Sequence, residues 1–277
     1  MNERVKTLPA DITSYDLLKA AAVVIMVIDH LGSYFFPDDL MLRAVGRIGF
    51  PVWFFLVGHA SGRNIPLKLA GGALVLVAAN FVTGMPLFPL NALVTIILIR
   101  LALDKMTAMA FATGQAQGAD RPQDQGQNIW KLSSLLAFAI VPTYIAFEYG
   151  TLAFIFALFG YAVRHLRERD NGKFITRYMA FALVLFIVVQ GVSYSFSQIE
   201  FVVMAAGTAL VCLVLSQFKA ATYPRLTSIC PKIGVWGLQF LGRRTLEIYV
   251  VHLLLFKGLC LYLGLDGYGL FDLQWID

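Results

Sequence analysis

The stretch VIMVIDHLGSYFFPDDLMLRAVGRIGFPVWFFLVG, Val24–Gly58, decides how this chain is read. It holds two apolar runs separated by a short turn at Pro37, and a bilayer-spanning helix needs about 20 mostly apolar residues. Between the runs sit groups that hydrocarbon does not tolerate alone. Asp29 and His30 lie about 12 residues into the first run, roughly 18 Å along a helix at 1.5 Å per residue. Arg43 and Arg47 open the second run on one helical face, four residues apart. A charge at the bilayer centre costs about 2.5–3.5 kcal/mol, so each of these groups needs a partner or a purpose. Asp29 and His30 are about 100° apart on their helix, so they do not face one target. Asp29 is expected to pair across the hairpin with Arg43 or Arg47, and His30 to face elsewhere, toward a cavity. Such a pair can be a structural clamp, part of a site, or both. Gly32 and Ser33 are small enough to admit a neighbouring helix or a ligand.

The rest of the chain fits the same solvent. Hydrophobic residues make up 58% of the 277 and charged residues 14%, where soluble domains carry about 25% charged residues. The mean hydropathy is +0.72. This excludes a cytosolic enzyme, a disordered chain and a secreted disulfide scaffold. Cys212, Cys230 and Cys260 are widely spaced and suggest neither disulfides nor a zinc site, and no metal is expected. A cleaved leader is not expected either, since the first sixteen residues are polar and the first apolar run contains Asp29 and His30.

The expected fold is all-α, a polytopic transmembrane bundle of about nine helices (eight to ten) in a single domain, 1–277. The spans read Leu17–Phe36, Val45–Ala60, Leu67–Thr83, Phe88–Leu103, Leu132–Phe147, Gly150–His165, Tyr178–Ser195, Ile199–Phe218 and Leu246–Leu265. Ile233–Leu241 is an interfacial lead-in or part of a tenth segment. Residues 104–131 contain GQAQGADRPQDQGQN and read as a flexible cytoplasmic loop. With the N-terminus inside and the C-terminus outside, 19 of the 22 Lys and Arg fall on the inner side, a strong bias of the kind that sets orientation. The net charge of +5 therefore points to membrane topology and not to nucleic acid. Arg43 and Arg47 break the bias.

A second cluster, FLGRRTLEIYVVHLLLFKG (Phe240–Gly258), holds Arg243, Arg244, Glu247, His252 and Lys257. Arg243 and Glu247 are spaced as an i, i+4 pair. His59, Arg63, Asn80, Asn91, Glu148, Tyr149 and Glu200 read more simply as caps or interfacial residues. No Gly-rich phosphate loop, GxSxG or HExxH is present.

The segments IDHLGSYFFP and LRAVGRIGFPVWFFLVG resemble the TraX family, polytopic bacterial membrane proteins named for acetylation of F-type pilin. The matching positions are Asp29, His30, Gly32, Phe36, Pro37, Arg43, Gly46, Arg47, Phe50 and Pro51. TLEIYVVHLLL is similar to the last-helix signature of the wider transmembrane acyltransferase superfamily, through Tyr249 and His252. The resemblance implies an inner-membrane acetyltransferase that uses cytoplasmic acetyl-CoA as donor. Its acceptor would be an amine or hydroxyl of a pilin, glycan or lipid at or across the membrane. His30, Asp29 and His252 are then the expected catalytic residues. His30 acts as base or acyl carrier on the outer side, and His252 lies nearer the donor entrance. Arg43, Arg47 and Tyr249 are expected at the substrate, and Arg63, Arg243 and Arg244 at the donor's phosphates. A proton-coupled transporter and a non-catalytic envelope or pilus assembly factor are the competing readings.

Overall fold

The computed structural model describes residues 9–111, 122–167 and 172–276. Among them the chain forms thirteen helices and three isolated β-bridges. Five helical segments are long and apolar enough to cross a membrane: Ser14–Phe35, Leu40–His59, Lys173–Ser193, Gln198–Ser216 and Thr245–Leu263. Leu67–Thr83 and Leu152–His165 are shorter apolar helices.

Helix α1 (Ser14–Phe35) starts on a capping box, in which Thr13 and Asp16 satisfy each other's backbone amides. The expected second span is two helices, α2 (Leu40–Arg47) and α3 (Phe50–His59). Pro51 causes the break, because it has no amide proton to give to the Arg47 carbonyl four residues earlier. Then come α4 (Leu67–Thr83) and α5 (Ala92–Phe111). The expected span Leu132–Phe147 is likewise divided, into α6 (Pro122–Phe138) and α7 (Ile140–Tyr144), since Pro142 leaves the Phe138 carbonyl without its helical donor. The remaining helices are α8 (Leu152–His165), α9 (Lys173–Ser193), α10 (Gln198–Ser216), α11 (Pro224–Ile229), α12 (Lys232–Arg243) and α13 (Thr245–Leu263).

The expected loop 104–131 needs correction on both sides. Residues 104–111 continue α5 and 122–131 begin α6. Leu103, Met106 and Ala110 bury one side of α5, and Ile129 buries part of α6. Packing therefore overrides the polar composition. Residues 112–121 lie outside those described, as do Arg4, Lys6 and Arg169 from the orientation argument.

Helix α8 is the post around which the bundle closes. Leu152–Gly160 are buried without interruption, and α3, α5, α6 and α9 pack around it. Gly58 of α3 and Gly160 of α8 face each other's helix backbone at the closest crossing. A Cβ on Gly58 would strike the Ala157 carbonyl, and one on Gly160 the Phe55 carbonyl. Outside this core α1 lies against α2, α12 and α13.

The two ends of the bundle differ. At the α1 start, Asp16 pairs with Arg243 of α12 at 3.0 Å. At the α1 end, the α4–α5 connection is held between two other segments. Leu87 and Phe88 donate to the carbonyls of Gln274 and Trp275, and Leu90 bonds Ala146 and Glu148.

Candidate functional site

Asp29 sits where α1 meets α2. The approach is close because Gly46 has no side chain: a Cβ there would overlap that of Asp29. The carboxylate meets Arg43 Nη1 at 3.0 Å and Arg47 Nε at 3.6 Å. Asp29 and Arg47 are each only 5% exposed, so the expected cross-hairpin pair forms out of reach of bulk water. Arg43 also donates to the Asp29 carbonyl at 2.8 Å. Both guanidiniums then converge on one hydroxyl. Tyr194, at the end of α9, accepts from Arg43 at 3.0 Å and from Arg47 at 2.5 Å. Tyr149 accepts from Arg47 at 3.3 Å. Removing one member of such a group strands a buried charge, at a cost of about 3–5 kcal/mol.

His30 faces away from this clamp, toward α13. Its Nδ1 is 2.7 Å from Nε2 of His252. His252 Nδ1 is in turn 2.7 Å from the Ile248 carbonyl. A carbonyl only accepts, so His252 carries its proton on Nδ1 and presents a bare Nε2. His30 must then donate from Nδ1, which leaves its own Nε2 as the free lone pair. The two rings stack with centroids 4.9 Å apart, and the Tyr249 ring lies 5.8 Å from His30. The expectation that His252 lies apart from His30, nearer the donor entrance, is corrected. Helices α1 and α13 pack side by side, so the two histidines meet.

Two cavities share these residues as a wall. The first, about 340 Å³, is mostly apolar and runs from Tyr15, Lys19, Pro66 and Arg100 to Asp29, His30, Arg47 and Tyr249. The second, about 310 Å³, is more polar. It extends from the same wall to Tyr34, Asn80, Glu148, Tyr194 and Lys257. Asp29, His30, Arg47, Tyr149 and Tyr249 belong to both. Lys257 is 5% exposed, with its ammonium 5.3 Å from the Tyr34 ring.

The three arginines expected at the donor's phosphates are elsewhere and already engaged. Arg63 pairs with Asp104 at 3.1 Å and caps the end of α3 through the carbonyls of Val57, Gly58 and Ala60. Arg243 is bound to Asp16 and to the carbonyls of Pro9 and Asp11. Arg244, not Arg243, pairs with Glu247, at 3.2 Å. The local spacing suited Arg243, but its carboxylate is Asp16, across the bundle. None of the three lines either cavity.

Tyr194 and the wall position of Glu148 and Tyr149 were not foreseen as parts of a site. Two arginines with one carboxylate between them are the signal that a further acceptor was needed. Among the described residues no three of His, Cys, Asp and Glu converge as a metal site would require.

The family model described as TraX protein matches residues 14–260, most of the chain. The chain belongs to the TraX family. The match takes in every residue of the Asp29 and His30 clusters. The TraX-family chain is also similar to the uncharacterized protein RP591 of Rickettsia prowazekii (strain Madrid E), with 48% identity over 48 residues. That stretch covers 17% of this chain and spans only 19% of the relative's length. No solved structure matches the chain.

Proposed function

We propose that this TraX-family protein is an inner-membrane acetyltransferase in which donor and acceptor approach one histidine pair from opposite sides. The observation that carries the reading is the bond chain from the Ile248 carbonyl through His252 to His30, set in the wall between two cavities. The apolar cavity suits the arm of acetyl-CoA, whose charged end would remain at the α1 start. The polar cavity suits an amine or hydroxyl acceptor. The lysine and arginine bias supports a cytoplasmic side for the first cavity and an outer side for the second.

In this mechanism His30 Nε2 takes the proton from the acceptor as its nitrogen or oxygen attacks the thioester carbon. The proton charge is shared with His252, which holds the ring in the required tautomer. Tyr249 reaches both cavities and is assigned as donor to the developing oxyanion. The C–S bond then breaks, and the thiolate leaves with the proton from His30. The Asp29–Arg43–Arg47 clamp fixes α2 against α1, so the base stays in register with both cavities.

The test is transfer of label from radiolabelled acetyl-CoA in membranes carrying the wild type, His30→Ala or His252→Ala. The expected loss is about 10²–10⁴-fold for His30→Ala, the usual contribution of a positioned base. His252→Ala is expected to lose less, because the base remains while its orienter is gone. Equal transfer in all three would remove the enzyme reading. Substrate flux into proteoliposomes without acetyl consumption would favour the carrier instead.

A further inference from the structure

We infer that Lys19 and Arg100 form the anion site that holds the phosphate end of the acyl donor, an inference that rests on the acetyltransferase reading. Three other cations at this end of the bundle are taken. Arg63 has Asp104, Arg243 has Asp16, and Arg164 donates to the His59 carbonyl at 2.6 Å. Lys19 and Arg100 differ from them. Both line the apolar cavity. Among the described residues Lys19 has no hydrogen bond or ion pair. Arg100 donates one Nη to the Asn64 carbonyl, while its Nε is buried without a partner. Asp16, one turn before Lys19, attracts it but is already paired with Arg243, so the two cations in one wall keep a net repulsion that an anion placed between them reverses. Phosphate is the anion that such a pair of charged donors suits.

The distance to His30 fits a particular ligand. Eleven residues of α1 separate Lys19 from His30, about 16 Å at 1.5 Å per residue. About twelve bonds join the phosphate oxygen to the sulfur of a pantetheine arm. That equals about four peptide residues, or about 14 Å extended. The wall along this path is apolar, with Met26, Phe50, Trp53, Leu69 and Ile96. It would hold the arm's gem-dimethyl and methylene groups and leave the phosphates at the two cations. The ligand class is therefore a phosphorylated pantetheine thioester. A phospholipid headgroup offers the same phosphate chemistry and must be distinguished from it.

The experiment uses the full chain in nanodiscs of neutral lipid. Binding of acetyl-CoA and of phosphate-free S-acetylpantetheine is followed by the fluorescence of Trp53 and by labelled ligand. Lys19→Gln and Arg100→Gln are each expected to raise the Kd for acetyl-CoA about tenfold. The same variants should leave the Kd for S-acetylpantetheine within about twofold of wild type, and Arg100→Lys should restore part of the loss. Equal weakening of both ligands, or unchanged acetyl-CoA affinity, would overturn the inference while leaving the acetyltransferase reading intact. A severalfold loss of acetyl-CoA affinity on adding anionic phospholipid would assign the site to lipid headgroups instead. Wild-type protein that binds neither thioester would overturn both.

Discussion

At the residue scale, His30 is distinguished by what it does not touch. Asp29, its neighbour in sequence, is spent on two arginines, and the orienting partner comes from another helix. Glu148 is the second titratable group to consider, in the connection between α7 and α8. Burial in the cavity wall pushes its carboxyl up to about 7, against the pull of Arg47. It is therefore largely neutral at pH 6 and largely anionic at pH 8. The other charged groups around its cavity are Asp29, Arg43, Arg47 and Lys257, so ionisation lowers a net positive charge. For an ammonium-bearing acceptor, KM should fall as pH rises through about 7. Glu148→Gln should flatten that profile while leaving the KM for acetyl-CoA unchanged. A profile identical in wild type and variant would exclude Glu148 from the acceptor's surroundings. The Asp29–Arg43 pair was legible in the sequence, because each lies within about two helical turns of the same bend, one on each arm of the hairpin. The His30–His252 contact was not. The histidines are 222 residues apart, and nothing local sets how far α13 slides along α1.

At the element scale, the α3–α8 crossing sets the core, and two glycines permit it. Gly160→Val would place branched carbons against the Phe55 carbonyl and the His59 amide, both main-chain atoms that cannot swing aside. The helices would have to separate, which costs more than the roughly 1–3 kcal/mol of ordinary overpacking. The expected result is a clear fall in the midpoint of thermal unfolding in detergent, with Gly71→Val as a neutral control, since that position faces open space. Equal midpoints would mean the crossing is not a constraint. Most elements were legible as apolar runs: α4 was read to the residue, and α1, α8, α10 and α13 to within a few. Where the reading joined two helices into one span, an interior proline was the cause, at Pro51 and Pro142. The helical turns on either side of 112–121 escaped because polar composition hid the few residues that bury there.

At the scale of the whole molecule, the bundle is a polarised object. One end gathers Lys19, Arg63, Arg100, Arg164 and Arg243, while the other gathers tyrosines and the α4–α5 connection. On the orientation expected from the sequence bias, the first end faces the cytoplasm. Cys212 and Cys260 are buried, so labelling needs only Cys230→Ser as background. In it, Asp38→Cys should react with an impermeant maleimide in intact cells, and Gly172→Cys only after permeabilisation. The reverse pattern would exchange the cavities proposed for donor and acceptor.

The two partnerships of α1 also differ in when they become available. Arg43 follows Asp29 by 14 residues, so the carboxylate can be neutralised as the first hairpin leaves the ribosome. His252 follows His30 by 222 residues, which at ~5–20 residues per second is roughly 10–45 s of further synthesis. The nascent chain thus lodges in the bilayer with the Asp29 charge already balanced and His30 still without its partner. On the proposed acetyltransferase reading it stays silent toward thioester until α13 arrives.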